Sequence, residues 1–170
     1  HKTPGEGFFI SALRKTSANP QQRNKPKSLF SRLSKAECEV LQKKGIDAGN
    51  VIIAPNGEFY RSPFNEKELN GLASSLYLLS PGVHIGKIAH AELLPAHALA
   101  LCNDVETNYG VVELAIDEAL AYLRGETISL TAQSGWQRVA YDSCVLGWVK
   151  VIGNRINNYY PKEWRVKLKE

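Results

Sequence analysis

The 170-residue sequence has no methionine, only three cysteines and only four histidines. It also lacks any apolar run near the roughly 20 residues that a bilayer-crossing helix needs, which argues against a membrane-spanning chain or a membrane partner. With His1 in first place and no initiator Met, it reads as a processed chain or as a piece excised from a longer one. No basic–apolar–small signal peptide precedes the first folded-looking segment. Cys38, Cys102 and Cys144 are odd in number and far apart, so they make neither a disulfide framework nor a zinc-ligand pattern; they fit a reducing cytoplasm. His1, His84, His90 and His97 contain no i, i+4 pair, and Pro95 breaks any helix that would join His90 to His97, so no metal site is expected. There is no G-x-G-x-x-G, no P-loop and no H-E-x-x-H. Spacing leaves a Cys–His nucleophile pair open, because such pairs assemble in space. Cys38 on a helix and Cys144 at the head of an apolar strand nevertheless read as small core residues, and no catalytic residue is assigned.

What is present is an uneven charge. Over residues 1–44 there are ten Lys/Arg against three Asp/Glu, over 45–142 five against twelve, and over 143–170 six against two. Both ends are basic and the middle is acidic. Basic ends suit a polyanionic partner, although Lys-rich termini also serve solubility alone.

The pattern of the chain indicates an α+β fold. Residues 7–13 (G-F-F-I-S-A-L) are apolar and β-prone and read as a strand. A polar stretch at residues 16–27, with Pro20 and Pro26, reads as a linker. Ser34-Lys35-Ala36-Glu37 has the S-x-x-E form of a capping box, predicting a helix that stops at Gly45. Residues 51–53 and 58–61 form two short strands around the Pro55-Asn56-Gly57 turn. Residues 76–79 and 83–88 are further strand candidates, and residues 95–101 read as a helix with Pro95 in its first turn. In the last third, a helix over 117–124 ends at Gly125. Strands near 127–130, 137–141 and 144–152 follow, then a Gly/Asn-rich turn leading to residues 164–168. Short strands with few helices predict a small β-barrel there.

The C-terminal segment interleaves cations and aromatics with Gly and Asn. That mixture suits RNA: cations neutralise phosphate, bases stack on aromatic or guanidinium planes, and amides read base edges. Lys150, Arg155, Lys162 and Arg165 are the candidates for phosphate contacts, with Asn154, Asn157 and Tyr160 for contacts to bases or sugars. The plainer alternative applies to half of these residues, with Trp148 and Trp164 anchoring a core and Tyr159-Tyr160 packing beside Pro161.

Residues 146–165, L-G-W-V-K-V-I-G-N-R-I-N-N-Y-Y-P-K-E-W-R, resemble the end of the Nol/Nop/Sun family of RNA cytosine-C5 methyltransferases, and within it the F-type bacterial small-subunit rRNA enzymes. Residues 1–15 (H-K-T-P-G-E-G-F-F-I-S-A-L-R-K) are similar to the family's closing catalytic-domain strand. Residues 78–87 (L-L-S-P-G-V-H-I-G-K) and 95–101 (P-A-H-A-L-A-L) resemble its intermediate C-terminal subdomain. The matches run from end to end in the family's order.

This resemblance implies a division into 1–15, an orphan strand of a Rossmann-like methyltransferase domain; 16–27, a linker; 28–105, the intermediate α+β subdomain; and 110–170, a PUA-like RNA-binding β-barrel. It implies S-adenosylmethionine for the parent protein and ribosomal RNA or the small ribosomal subunit as partner, with the missing catalytic domain in cis. Family members use a Cys after Pro and a second Cys near Thr, whereas here the pairs are Glu37-Cys38, Leu101-Cys102 and Ser143-Cys144. No catalytic and no cofactor-binding residue is therefore carried over. The family's basic run after the Gly of the intermediate subdomain is replaced by Lys87-Ile88-Ala89-His90-Ala91-Glu92, which withholds an RNA role from that surface. The expected function is recruitment of rRNA for the catalytic domain. The rival is an intramolecular scaffold, favoured by the acidic middle, that stabilises that domain without touching RNA.

Overall fold

The computed structural model describes residues 28–167. The strand expected over residues 7–13 and the linker over 16–27 lie outside the described residues. Within them the order is β1 (Ser31–Arg32), α1 (Lys35–Gln42), β2 (Val51–Ile53), β3 (Phe59–Arg61), α2 (Glu66–Ala73), β4 (Val83–Ala89), β5 (Glu92–Pro95), α3 (His97–Leu101), β6 (Val111–Glu113), α4 (Ile116–Arg124), β7 (Gly135–Tyr141), β8 (Cys144–Ile152), β9 (Arg155–Asn158) and a closing 3-10 turn (Lys162–Trp164). The fold is α+β, as its pattern indicated.

The first sheet is an antiparallel meander in the order β1-β2-β3-β4-β5. The α1 capping box forms as its sequence predicts: the Glu37 backbone N–H donates to Ser34 Oγ at 3.3 Å, and the Ser34 N–H donates to the Glu37 carboxylate at 2.7 Å. Gly45 closes the helix with φ +75°. An equivalent box at Asn65 and Glu68 starts α2, an element the sequence reading missed. The strand expected over residues 76–79 is not there. Leu76 instead finishes the turn of α2, its N–H donating to Leu72 O at 2.8 Å, and Tyr77 and Leu79 stand 90% and 91% exposed with no ladder to join. The helix expected from Pro95 starts two residues later, because Pro95 ends β5 opposite Gly86 and Ala96 is the helix cap.

The second sheet has the order β6-β7-β8-β9. Its β6–β7 pair is parallel, with Val111 opposite Arg138, and α4 provides the crossover that parallel strands require. Among the described residues no pairing closes β9 onto β6, so the expected barrel is an open four-stranded sheet. Residues 127–130, expected as a strand, are an irregular loop in which Ile128 alone is buried. Beyond β9 the chain makes the 3-10 turn that ends at Trp164, after which Arg165 is extended and the Val166 N–H donates to Leu123 O at 3.1 Å. That tryptophan is 57% exposed and does not anchor the core, unlike Trp148 at 1%. Cys144, expected inside, is exposed, while Cys38 and Cys102 are half-buried.

One apolar cluster joins the two sheets. Leu41, Phe59, Ile85, Leu93 and Leu99 pack in it with Tyr109, Trp136 and Trp148. A second cluster gathers Leu114, Ala119, Tyr122, Ile128, Val139 and Val149 between α4 and its sheet. Burying these side chains drives the assembly, at about 25 cal/mol for each Å² of apolar surface removed from water.

Candidate nucleic-acid interface

Strand alternation decides which way β9 presents its side chains. Ile156 turns inward onto the second cluster, so Arg155 and Asn157 share the opposite face. There the Arg155 Nε–H donates to Asn157 Oδ1 at 2.7 Å. Asn158 points back to the helix side. Its Nδ2 donates to Tyr122 O at 2.9 Å and Glu126 O at 3.0 Å, and its Oδ1 accepts from the Tyr160 N–H at 2.8 Å. One amide thus clamps the edge strand to the C-terminal end of α4, and the sequence reading passed over it.

Between these two elements lies a cleft of about 850 Å³, with residues 125–130 on one wall and residues 154–159 on the other. Three of the seven expected site residues line it: Asn154 in the β8–β9 turn, Arg155 and Asn157. Gly125, at φ +76°, forms one end of the cleft, and the Arg165 guanidinium packs where a side chain at that position would stand. The rest are placed otherwise. Lys162 is exposed on the 3-10 turn. Lys150 sits within 3.2 Å of the Glu92 carboxylate and 5.2 Å from the centre of the Trp136 ring, so much of its charge is already engaged. Tyr160 is a packing residue, edge-on to His97 at 5.5 Å and to Tyr122 at 5.4 Å.

Buried aromatic rings pack behind the cleft. Tyr122 donates to Trp148 O at 3.0 Å, and burial raises its phenol well above the ordinary range. Burial, with the nearby Glu92 carboxylate second, does the same for Tyr109. His97 lies edge-on between Tyr160 and Trp164 and close over Gly147, and burial pulls its imidazole below the usual value. Among the described residues no cluster of His, Cys, Asp and Glu is arranged to hold a metal. No described helix is long and apolar enough to cross a membrane.

The segment that carries this cleft, residues 109–166, matches the family model described as the methyltransferase RsmF PUA domain. The chain is a relative of the RsmF-type rRNA methyltransferases. It is 26% identical over 176 residues to the ribosomal RNA small subunit methyltransferase F of Shewanella sp. (strain ANA-3), covering 93% of this chain and 36% of that protein. It is 28% identical over 170 residues to the same-named protein of Aeromonas salmonicida (strain A449), covering 93% and 35%. The chain therefore spans about a third of the length of the curated relatives it matches. The likeness reaches beyond the PUA segment, taking in the first sheet as well.

Proposed function

We propose that this chain is the rRNA-recruiting region of a small-subunit rRNA (cytosine-C5) methyltransferase, acting in the cytoplasm. The observation that carries the reading is the cleft between residues 125–130 and β9, lined by Asn154, Arg155 and Asn157 within the PUA-matched segment. Residues 28–105 and 110–170 are proposed as the intermediate subdomain and the RNA-binding domain. Arg165, packed against Gly125 at the cleft's end, and Lys162, exposed on the 3-10 turn, would meet phosphate, which raises affinity and fixes orientation without selecting sequence. The parent protein would supply S-adenosylmethionine binding and the catalytic cysteines through a domain in cis, to which this region delivers the small ribosomal subunit's RNA.

The scaffold reading keeps one specific support: Lys150, a cation expected to face RNA, pairs with Glu92 inside the chain. A titration of the full 170-residue chain against a small-subunit rRNA helix–loop, followed by fluorescence anisotropy at two salt concentrations, separates the two. Salt-sensitive binding that Lys162→Ala and Arg155→Ala weaken is the expected result, with the Lys162 variant lowering the salt slope by about one unit. No binding at low salt by the folded chain would transfer the role to the scaffold.

A further inference from the structure

The cleft is poor in charge for a groove that tracks a phosphate backbone. Among the described residues lining it, Arg155 is the one cation and Glu126 the one carboxylate, while Asn154, Asn157, Thr127 and Ser129 contribute amides and hydroxyls. Those are groups that recognise base edges. Arg155 is also held in place. Its Nε is occupied by Asn157 Oδ1 at 2.7 Å, which leaves the two terminal guanidinium nitrogens as a fork of donors. Asn157 turns its oxygen to Arg155 and offers its Nδ2 as a donor beside the fork. A fork of two donors matches a base edge made of two acceptors, and among the major-groove edges of the four bases guanine alone offers that pair, O6 and N7. Adenine places an amino donor where guanine has O6. Tyr159 lines the same cleft, 46% exposed and backed by Trp136 at 4.4 Å, and supplies a ring on which an unstacked base can lie.

We infer that the cleft selects an unpaired guanine, with the Arg155 fork on O6 and N7 and Asn157 as the residue that positions the fork. This rests on the RNA-recruiting reading and narrows its substrate. It also moves Arg155 from a phosphate contact, the role its charge alone suggested, to a base contact.

The test uses the full chain and short single-stranded uridine oligomers carrying one central guanosine, adenosine or 7-deazaguanosine, with anisotropy as the readout. The guanosine oligomer is expected to bind about tenfold more tightly than the adenosine one, the range of a bidentate contact. The 7-deazaguanosine oligomer, lacking N7, should fall towards the adenosine level. Arg155→Lys keeps the charge and loses the fork. It should abolish the preference while retaining salt-dependent affinity for plain oligouridine, and Asn157→Ala should reduce the preference with little change in that affinity. Both residues lie at the surface, and circular dichroism of each variant checks the fold. Equal binding of all three oligomers overturns the inference, as does a guanosine preference that survives Arg155→Lys. Failure to bind either the oligomers or the rRNA helix–loop removes the recruiting reading itself.

Discussion

The indole of Trp148 on β8 donates its Nε1–H to the carbonyl of Ala96, the cap of α3, at 2.8 Å. The two residues are 52 apart in sequence, Trp148 lying in the second sheet and Ala96 following directly on β5 of the first. Around this bond Tyr109 and Trp136 meet the Trp148 ring edge-on at 4.8 and 6.3 Å, so a single polar contact is embedded in an apolar junction.

Trp148→Phe should therefore cost about 2 kcal/mol, because it shrinks a filled core and takes one donor from the Ala96 carbonyl, which keeps only the Leu99 N–H at 3.1 Å. Urea unfolding monitored by circular dichroism measures this. A loss below about 0.5 kcal/mol would mean that the junction contributes little to joining the sheets.

Stability should also depend on pH through His97. Neither ring nitrogen has a hydrogen-bond partner among the described residues, and burial lowers the folded-state pKa. The unfolded chain, with an ordinary imidazole near about 6.5, then takes up the proton first as pH falls. The stabilisation from a neutral His97 is complete above that pH and is lost as pH drops from there through the folded value. Thermal melts between about pH 7.5 and 5 should show a falling Tm that flattens in His97→Phe. Parallel curves for the two proteins would remove His97 from the effect.

At the β4–β5 hairpin the two turn residues, His90 and Ala91, take φ of +50° and +58°. A left-handed conformation strains any side chain with a Cβ, by roughly 1–2 kcal/mol per residue. Ala91→Gly should raise stability by about 1 kcal/mol, or a Tm gain of about 2–4 °C. An unchanged or lower Tm would show that the added freedom of the unfolded chain outweighs the relief.

Asn158→Ala should both destabilise and loosen the cleft. It deletes donors to Tyr122 and Glu126 and an acceptor for Tyr160, a loss of about 1–3 kcal/mol. With the wall unclamped, RNA affinity should fall even though Asn158 turns away from the face bearing Arg155. Normal affinity at a temperature where the variant is fully folded would separate the clamp from binding.

What could be read from the sequence follows from how far each signal reaches along the chain. The Ser34 capping box, the Asn56-Gly57 turn and the Gly125 helix end are local devices, satisfied within four or five residues, and each forms where its spelling indicates. The α2 box at Asn65 and Glu68 has the same spelling and was legible too, though overlooked. Apolar runs misled where no partner came to meet them. Residues 76–79 have the composition of a strand, yet exposed Tyr77 and Leu79 find no neighbour to pair with. Residues 127–130 likewise have strand composition, but they form a loop facing the cleft.

The sequence by itself determined the α+β class, the helix ends, the hairpins and the kind of chemistry gathered near the C-terminus, because these rest on residue type and short spacing. Only the tertiary structure decided which of those residues share a site. It turned Arg155 and Asn157 to one face of β9, drew Lys150 onto Glu92 and Trp136, and folded Tyr160 inward against His97. The physical reason is that a side chain's role depends on what packing places opposite it. Those opposing groups come from elements tens of residues away, beyond the reach of any local pattern.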